Sequence, residues 1–278
     1  MKQIITYFIV ACLFGTSSFS QSKIGKAEES VKNGESDSEN PKSEYSNSEI
    51  NTDDDIGFLT EIIGGFFIQV FTYTAYALAI ESPFELEGKA SHAFITKYPY
   101  YNSNKGNYDY TWSEDISIFR TDLSGRYISE NNRLKGTHLN LEMRFLKRVS
   151  LEADYLQLWE NNPNFGTDNL AIYSMIAKYH RVRTEKFDAW WGLGASYIDG
   201  TVNEFGFTYG LGAEWFFAKP LSAEIKFNQT LINSETVNKF NGLLNYHHNQ
   251  YKFTGGYERL KIGSQGFSMI TLGVGIYL

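Results

Sequence analysis

The sequence predicts an all-β fold, an antiparallel transmembrane β-barrel of about ten strands (eight to twelve), preceded by a disordered acidic segment and an apolar helix. Three observations carry that expectation. From residue 115 to residue 278 the chain alternates apolar and polar side chains in about ten successive runs of roughly 10 to 14 residues, about twice the usual globular strand and long enough for a tilted strand to cross a bilayer. The chain holds 19 Tyr, 21 Phe and 5 Trp yet has a mean hydropathy of -0.34. Alternation reconciles the two, because an apolar wall is averaged with a polar interior. Finally, the N-terminus reads as an export signal.

Taken in order, residues 1–20 form that signal: Lys2, the apolar run IITYFIVACLFG, then Ser18 and Ser20 as the small residues before a cleavage at Gln21. A lipoprotein reading competes, since Ile9–Cys12 resembles a lipobox. Cleavage after Ser20 removes Cys12, the only cysteine, so the mature chain has no disulfide, thiol nucleophile or cysteine metal site.

Residues 21–55 have almost no large apolar side chains and cannot offset the entropy of ordering, which predicts a disordered acidic periplasmic linker. The tract holds four Lys against ten Asp and Glu, a net of -6 out of the whole chain's -7. The folded part is therefore close to neutral, which excludes a nucleic-acid partner. Residues 56–114 are read as an apolar helix and a connecting segment. In Ile56–Ile80 the residues Leu59, Ile62, Ile63, Phe66, Val70, Tyr73, Ala77 and Ile80 fall on one helical stripe. Two barrel strands joined near Gly64 and Gly65 are the alternative. Between Glu81 and Glu114 the Tyr- and Asn-rich sequence has no assignable period, and Pro99 argues against a central strand.

Within 115–278, counting by twos gives an outward row and an inward row. In GFTYGLGAEWFF, Phe207, Tyr209, Leu211, Trp215 and Phe217 lie on the outward row and face lipid, while Glu214 faces inward. Tight turns are expected at Lys147–Arg148, Arg183–Lys186, Lys219–Pro220 and His248–Asn249, with longer polar loops such as SENNRLKG and ENNPNFGTDN at the other end. That asymmetry is the habit of outer-membrane barrels. Aromatic residues near strand ends, among them Tyr155, Trp159, Tyr173, Trp191 and Tyr197, suit interfacial girdles.

The last run, FSMITLGVGIYL, alternates until the chain stops and keeps glycines on its inner side. It resembles the C-terminal strand of Gram-negative outer-membrane β-barrels, although those end in an aromatic residue and this chain ends in Leu278 after Tyr277. The resemblance is architectural and covers residues 115–278. It implies residence in the outer membrane, outer-membrane lipid and the barrel-assembly machinery as partners, and a monomer.

The inward row carries Arg120, Asp122, Arg126, His138, Glu142, Arg144, Glu152, Asp154, Lys178, His180, Asp188, Glu214, Glu224, Lys226, Lys252 and Glu258. Both signs are interspersed, and a ten-strand lumen is narrow enough to be filled by side chains. A closed network of paired charges is the first expectation, since buried charges are generally paired. That implies an envelope structural or binding role. A narrow conduit, as in a small gated or porin-like transporter, is the second reading, and a barrel-embedded lipid-modifying hydrolase the third. No spacing identifies a nucleophile, a metal-ligand set or a Gly-rich phosphate loop, so no enzyme, cofactor or metal is expected. His247 and His248 are read as a wet pair beside a turn, pointing to opposite faces.

Overall fold

Ten long strands dominate the computed structural model, which describes residues 22–33, 93–111, 119–145, 147–162, 166–232 and 235–278. They are β3 (Arg120–Ser129), β4 (Leu134–Arg144), β5 (Val149–Asn162), β6 (Gly166–Arg183), β7 (Phe187–Asp199), β8 (Glu204–Ala218), β9 (Leu221–Ile232), β10 (Glu235–His248), β11 (Tyr251–Ile262) and β12 (Gln265–Tyr277). Each pairs antiparallel with its sequence neighbour, and β12 pairs with β3 through Leu272↔Tyr127 and Ile276↔Leu123, which closes the barrel. Closure satisfies every strand edge within the wall, the condition a sheet must meet in lipid.

The period-two faces behave as the sequence requires. Phe207 and Trp215 are 53% and 55% exposed, Phe217 is exposed, and Tyr209 and Leu211 are partly exposed on the same wall. Leu123, Met175, Ile225, Phe253, Ile270 and Leu272 continue that apolar surface around the barrel. Such a surface is far larger than a water-soluble monomer exposes, and it is the outside of a membrane barrel. Phe227 shares the outward parity but is only 5% exposed.

The expected contrast between tight turns and long loops is absent. At the mouth that carries the chain's last residue, the connections are 145–148, 184–186, 219–220 and 249–250; at the opposite mouth they are 130–133, 163–165, 200–203, 233–234 and 263–264. The polar stretches read as loops are in part strand: Glu160 pairs with Leu134 and with Asp168, and Asn161 with Thr167. Strand pairing needs only backbone groups, so it runs on past the point where the side chains stop alternating. β6 reaches 18 residues as a result.

A bulge between His180 and Val182 resets parity at the end of β6. Simple alternation puts Arg183 on the wall. The extra residue turns it inward, where it is 3% exposed and donates to the carbonyls of Ala93 and Lys147.

Two pieces of the N-terminal region are also ordered. Lys23–Asn33 forms helix α1, which corrects the reading of 21–55 as wholly disordered. Ser22 caps it, accepting the Gly25 N–H on Oγ at 2.9 Å and the Lys26 N–H on its carbonyl at 3.0 Å. Ile24, Ala27 and Val31 make one buried stripe. Eleven residues are too few for a stable isolated helix, so the stripe's burial against the barrel supplies what composition lacks. Helix α1 lies at the mouth formed by Glu130, Glu160 and Thr201, opposite the tight turns.

The unassigned connecting segment forms a small cap at the other mouth, with strands β1 (Phe94–Ile95) and β2 (Tyr108–Asp109) paired to each other. The signal at 1–20 and the apolar Ile56–Ile80 lie outside the described residues. No described helix is long and apolar enough to cross a membrane.

Candidate functional site

Among the described residues, chemistry-bearing side chains converge in the lumen, and the barrel register explains how. Alternate residues of all ten strands point to one axis. The fourteen charged residues singled out from the sequence all lie inside, and they sort into layers.

In the central layer Glu152, fully buried, receives Lys178 and, at 2.7 Å, Lys226 on one carboxylate oxygen. Lys178 also donates to Glu142 at 2.7 Å and lies 4.1 Å from the Trp190 ring centroid. Glu142 accepts Arg144 at 2.9 Å, and Lys226 approaches Glu224 at 3.7 Å. Beside this group Arg126 donates to Glu258 at 2.8 Å, and both nitrogens of the His138 ring face carboxylates, Glu258 at 2.5 Å and Asp154 at 2.6 Å. Lys239 completes the second oxygen of Asp154. Lys239 was not among the candidates, although the outward parity of Phe240, Leu244 and Tyr246 places it on the inward row. A row of hydroxyls, Ser174, Ser196, Thr208 and Thr230, fills the remaining wall with bonds of 2.6 to 2.9 Å.

Toward the mouth with the tight turns, the network depends on the cap. Arg120 donates to the Thr96 carbonyl at 3.1 Å and to Asn107 at 2.9 Å, and Asn107 donates on to Asp188 and Glu214 at 3.3 Å each. Tyr108, 1% exposed, accepts Arg144 at 2.8 Å; its hydroxyl lies 3.3 Å from Asp188. Burial pushes the Tyr108 phenol well above its ordinary range, with Asp188 adding to it. Tyr100 donates to the Leu221 carbonyl at 2.5 Å and packs against Phe216 and His247. His247 is therefore enclosed, 4% exposed, rather than wet; His248 faces the other way and is exposed. Lys252 pairs with Asp122 at 2.6 Å. At the rim, hydrogen bonds to Asp109 and Glu185 push the Lys105 ammonium up.

One arrangement has the order of a hydrolase triad. Ser150 Oγ lies 2.9 Å from His180 Nε2, and His180 Nδ1 lies 2.8 Å from Asp188. Ser150 is fully buried, and neither it nor His180 lines the enclosed cavity of the lumen. With no space for a substrate at the hydroxyl, the chain of bonds satisfies buried groups and does not present a nucleophile. That cavity is small, about 30 Å³, room for one or two waters. Arg120 Nε and Asp122 Oδ1, on its wall, have no protein partner among the described residues. A larger concavity of about 520 Å³, lined by Leu139, Ala153, Tyr173 and Ala195, lies on the outer wall and faces the membrane. Among the described residues no cluster of His, Cys, Asp and Glu could hold a metal ion.

At the α1 mouth the inward row changes character. Ile128, Leu156, Leu158, Leu170, Ile172, Ile198, Leu260 and Phe267 form an apolar cup around Ile24, Ala27 and Val31. A polar interior throughout was the expectation, so this is a correction. The available signal was apolar side chains on both parities in LQLWE and LAIY.

No family model matches the chain, and no curated protein matches it. Solved structures with a similar course of chain are outer-membrane β-barrels. The outer membrane protein Ail of Yersinia pestis is 14% identical, with 57% of this chain and 99% of that chain covered and a TM-score of 0.33. An outer membrane channel from Pseudomonas putida F1 is 9% identical, with coverages of 58% and 95% and a TM-score of 0.38. The outer membrane protein OprG of Pseudomonas aeruginosa is 11% identical, with coverages of 58% and 95% and a TM-score of 0.32.

Proposed function

We propose that the chain is a resident of the Gram-negative outer membrane, delivered by its signal segment and the barrel-assembly machinery, where it stands as a monomer with its wall in lipid. Its role is that of an envelope structural or binding protein whose lumen is closed. The observation that supports this is Glu152, fully buried at the barrel centre with two lysines on one carboxylate oxygen. A conducting pore needs hydrated groups along its axis, whereas here the Glu152 carboxylate takes both ammonium groups directly.

A gated channel is the second reading, favoured by one feature. Both mouths are covered by segments that precede the barrel in sequence, α1 and the β1–β2 cap, and not by the barrel's own turns. Planar-bilayer recording separates the two. The closed-lumen reading expects little steady current from the intact protein and little change when residues 22–33 are deleted, since the charge layer remains. A large stable current from the intact chain overturns it; a current that appears only on deletion supports gating.

A further inference from the structure

The apolar cup is built from side chains of many strands, and its occupant meets it with few. Helix α1 offers it only Ile24, Ala27 and Val31, and holding them there fixes eleven residues that lose their conformational freedom. The cup's wall, with Ile128, Leu156, Leu170, Ile198, Leu260 and Phe267, is an unusual lining for a barrel lumen, which is normally polar.

The polar contacts at the rim have one chemical sense on the side where α1 begins. Glu130 accepts the Lys23 ammonium at 2.7 Å, and that ammonium lies 5.0 Å from the centroid of the Phe267 ring. Glu160 accepts the Ile24 N–H at 2.8 Å. One carboxylate and an aromatic face thus flank the cation, and a second carboxylate takes the next backbone N–H, directly above the apolar cup. The start of α1 has the layout of a cationic amphiphile: an ammonium, then a hydrogen-bond donor, then a short aliphatic body.

We propose that this cup is a binding site for a single-chain cationic amphiphile, and that α1 occupies it as an internal competitor. The ammonium of such a molecule takes the place of Lys23 between Glu130 and Phe267, Glu160 is released from the Ile24 N–H to add a second negative charge beside it, and the chain takes the place of Ile24, Ala27 and Val31. Glu28, which accepts the Thr201 N–H at 2.8 Å and the Thr201 hydroxyl, holds the later part of the helix over the opening and has no counterpart in the ligand. Displacement then frees α1 at its N-terminal side first.

The proposal needs an intact barrel but not a closed lumen, so it stands or falls separately from the conductance measurement. Equilibrium binding of dodecylamine and dodecanoate is measured for the full chain and for a form lacking residues 22–33. Both are held in lipid nanodiscs with empty nanodiscs as control, and the barrel is verified by its heat-dependent gel migration. The expected result is saturable dodecylamine binding, one per barrel, at least tenfold tighter without the helix. Dodecanoate should bind more weakly, and the combined Glu130→Gln and Glu160→Gln changes should remove the preference for the amine. Where the deletion does not fold, Val31→Asp in the full chain unseats the helix and gives the same comparison. Binding no greater than to empty nanodiscs, equal affinity with and without the helix, or equal binding of the two head groups would overturn the proposal.

Discussion

Replacing Glu152 by Ala should be among the most damaging single changes in the barrel. The carboxylate is fully buried and bridges Lys178 and Lys226. Removing one member of a buried ion pair costs about 3–5 kcal/mol, because the partner charge stays desolvated. Two lysines are left here, which raises the cost, but each keeps a second carboxylate, Glu142 at 2.7 Å for Lys178 and Glu224 at 3.7 Å for Lys226. Lys226 is the worse placed. These opposing features put the expected loss near the lower end, about 3 kcal/mol, or roughly 150-fold in the folding equilibrium at 1.4 kcal/mol per decade. Glu152→Gln keeps shape and acceptor and should cost about 1–2 kcal/mol. The double change Glu152→Leu with Lys226→Met should recover part of the loss, since an apolar pair of similar volume is often neutral. Urea unfolding in lipid vesicles, followed by tryptophan fluorescence and gel migration, measures all three. A wild-type midpoint for Glu152→Ala would refute the reasoning, because it would mean that water reaches both lysines and the layer is not sealed.

Three further outcomes follow from particular contacts. Burial, with Glu214 adding to it, pushes the Tyr100 hydroxyl up to about 12, so its contribution to docking the cap is present below about 10, the unfolded value, and is lost as pH rises through about 12. Labelling of a cysteine at Ser103 should therefore accelerate across pH 10 to 12. Tyr100→Phe should be labelled faster at every pH and show no such step; an identical step in both forms would exclude Tyr100 as its source. Val31→Asp places a charge in the apolar cup and removes a buried side chain worth about 1.5–3 kcal/mol. Protease should then cut near α1 while the barrel keeps its heat-dependent migration, and resistance equal to wild type would argue against the docked helix. Brominated acyl chains should quench Trp215 strongly and Trp190, which lies in the lumen at 8% exposure, weakly. Equal quenching would contradict the assignment of inside and outside.

The wall was legible because it is governed by one rule. Alternation over long runs assigned Phe207, Trp215 and their neighbours to the outside and fourteen charges to the inside without any knowledge of pairing. Two features escaped for different physical reasons. Helix α1 was hidden because disorder is judged on average composition, whereas docking depends on three side chains at i, i+3 and i+7 and on a capping serine. Arg183 was hidden because a bulge changes parity, and nothing in RVRTEK announces an extra residue. The cap was hidden for a third reason. Its residues Thr96, Tyr100, Asn107 and Tyr108 have no period of their own, since their positions are set by the charges they meet.

That dependence bears on how the lumen stays closed. Asp188 takes bonds from His180, Arg144, Asn107 and Tyr108, so half of its partners here come from the cap. Glu214 likewise relies on Asn107 as well as on Ser222 at 2.6 Å. The central layer needs no such help, because Glu152, Asp154 and Glu258 take Lys178, Lys226, His138, Lys239 and Arg126 entirely from strands. The barrel thus contains a self-sufficient plug at its middle and a conditional one at the mouth. Loss of the cap would expose a row of carboxylates to water while leaving the axis blocked. Closure of the axis and cover of the mouths are therefore separable properties of this fold: the first resides in β3–β11, the second in the N-terminal segments laid over either end.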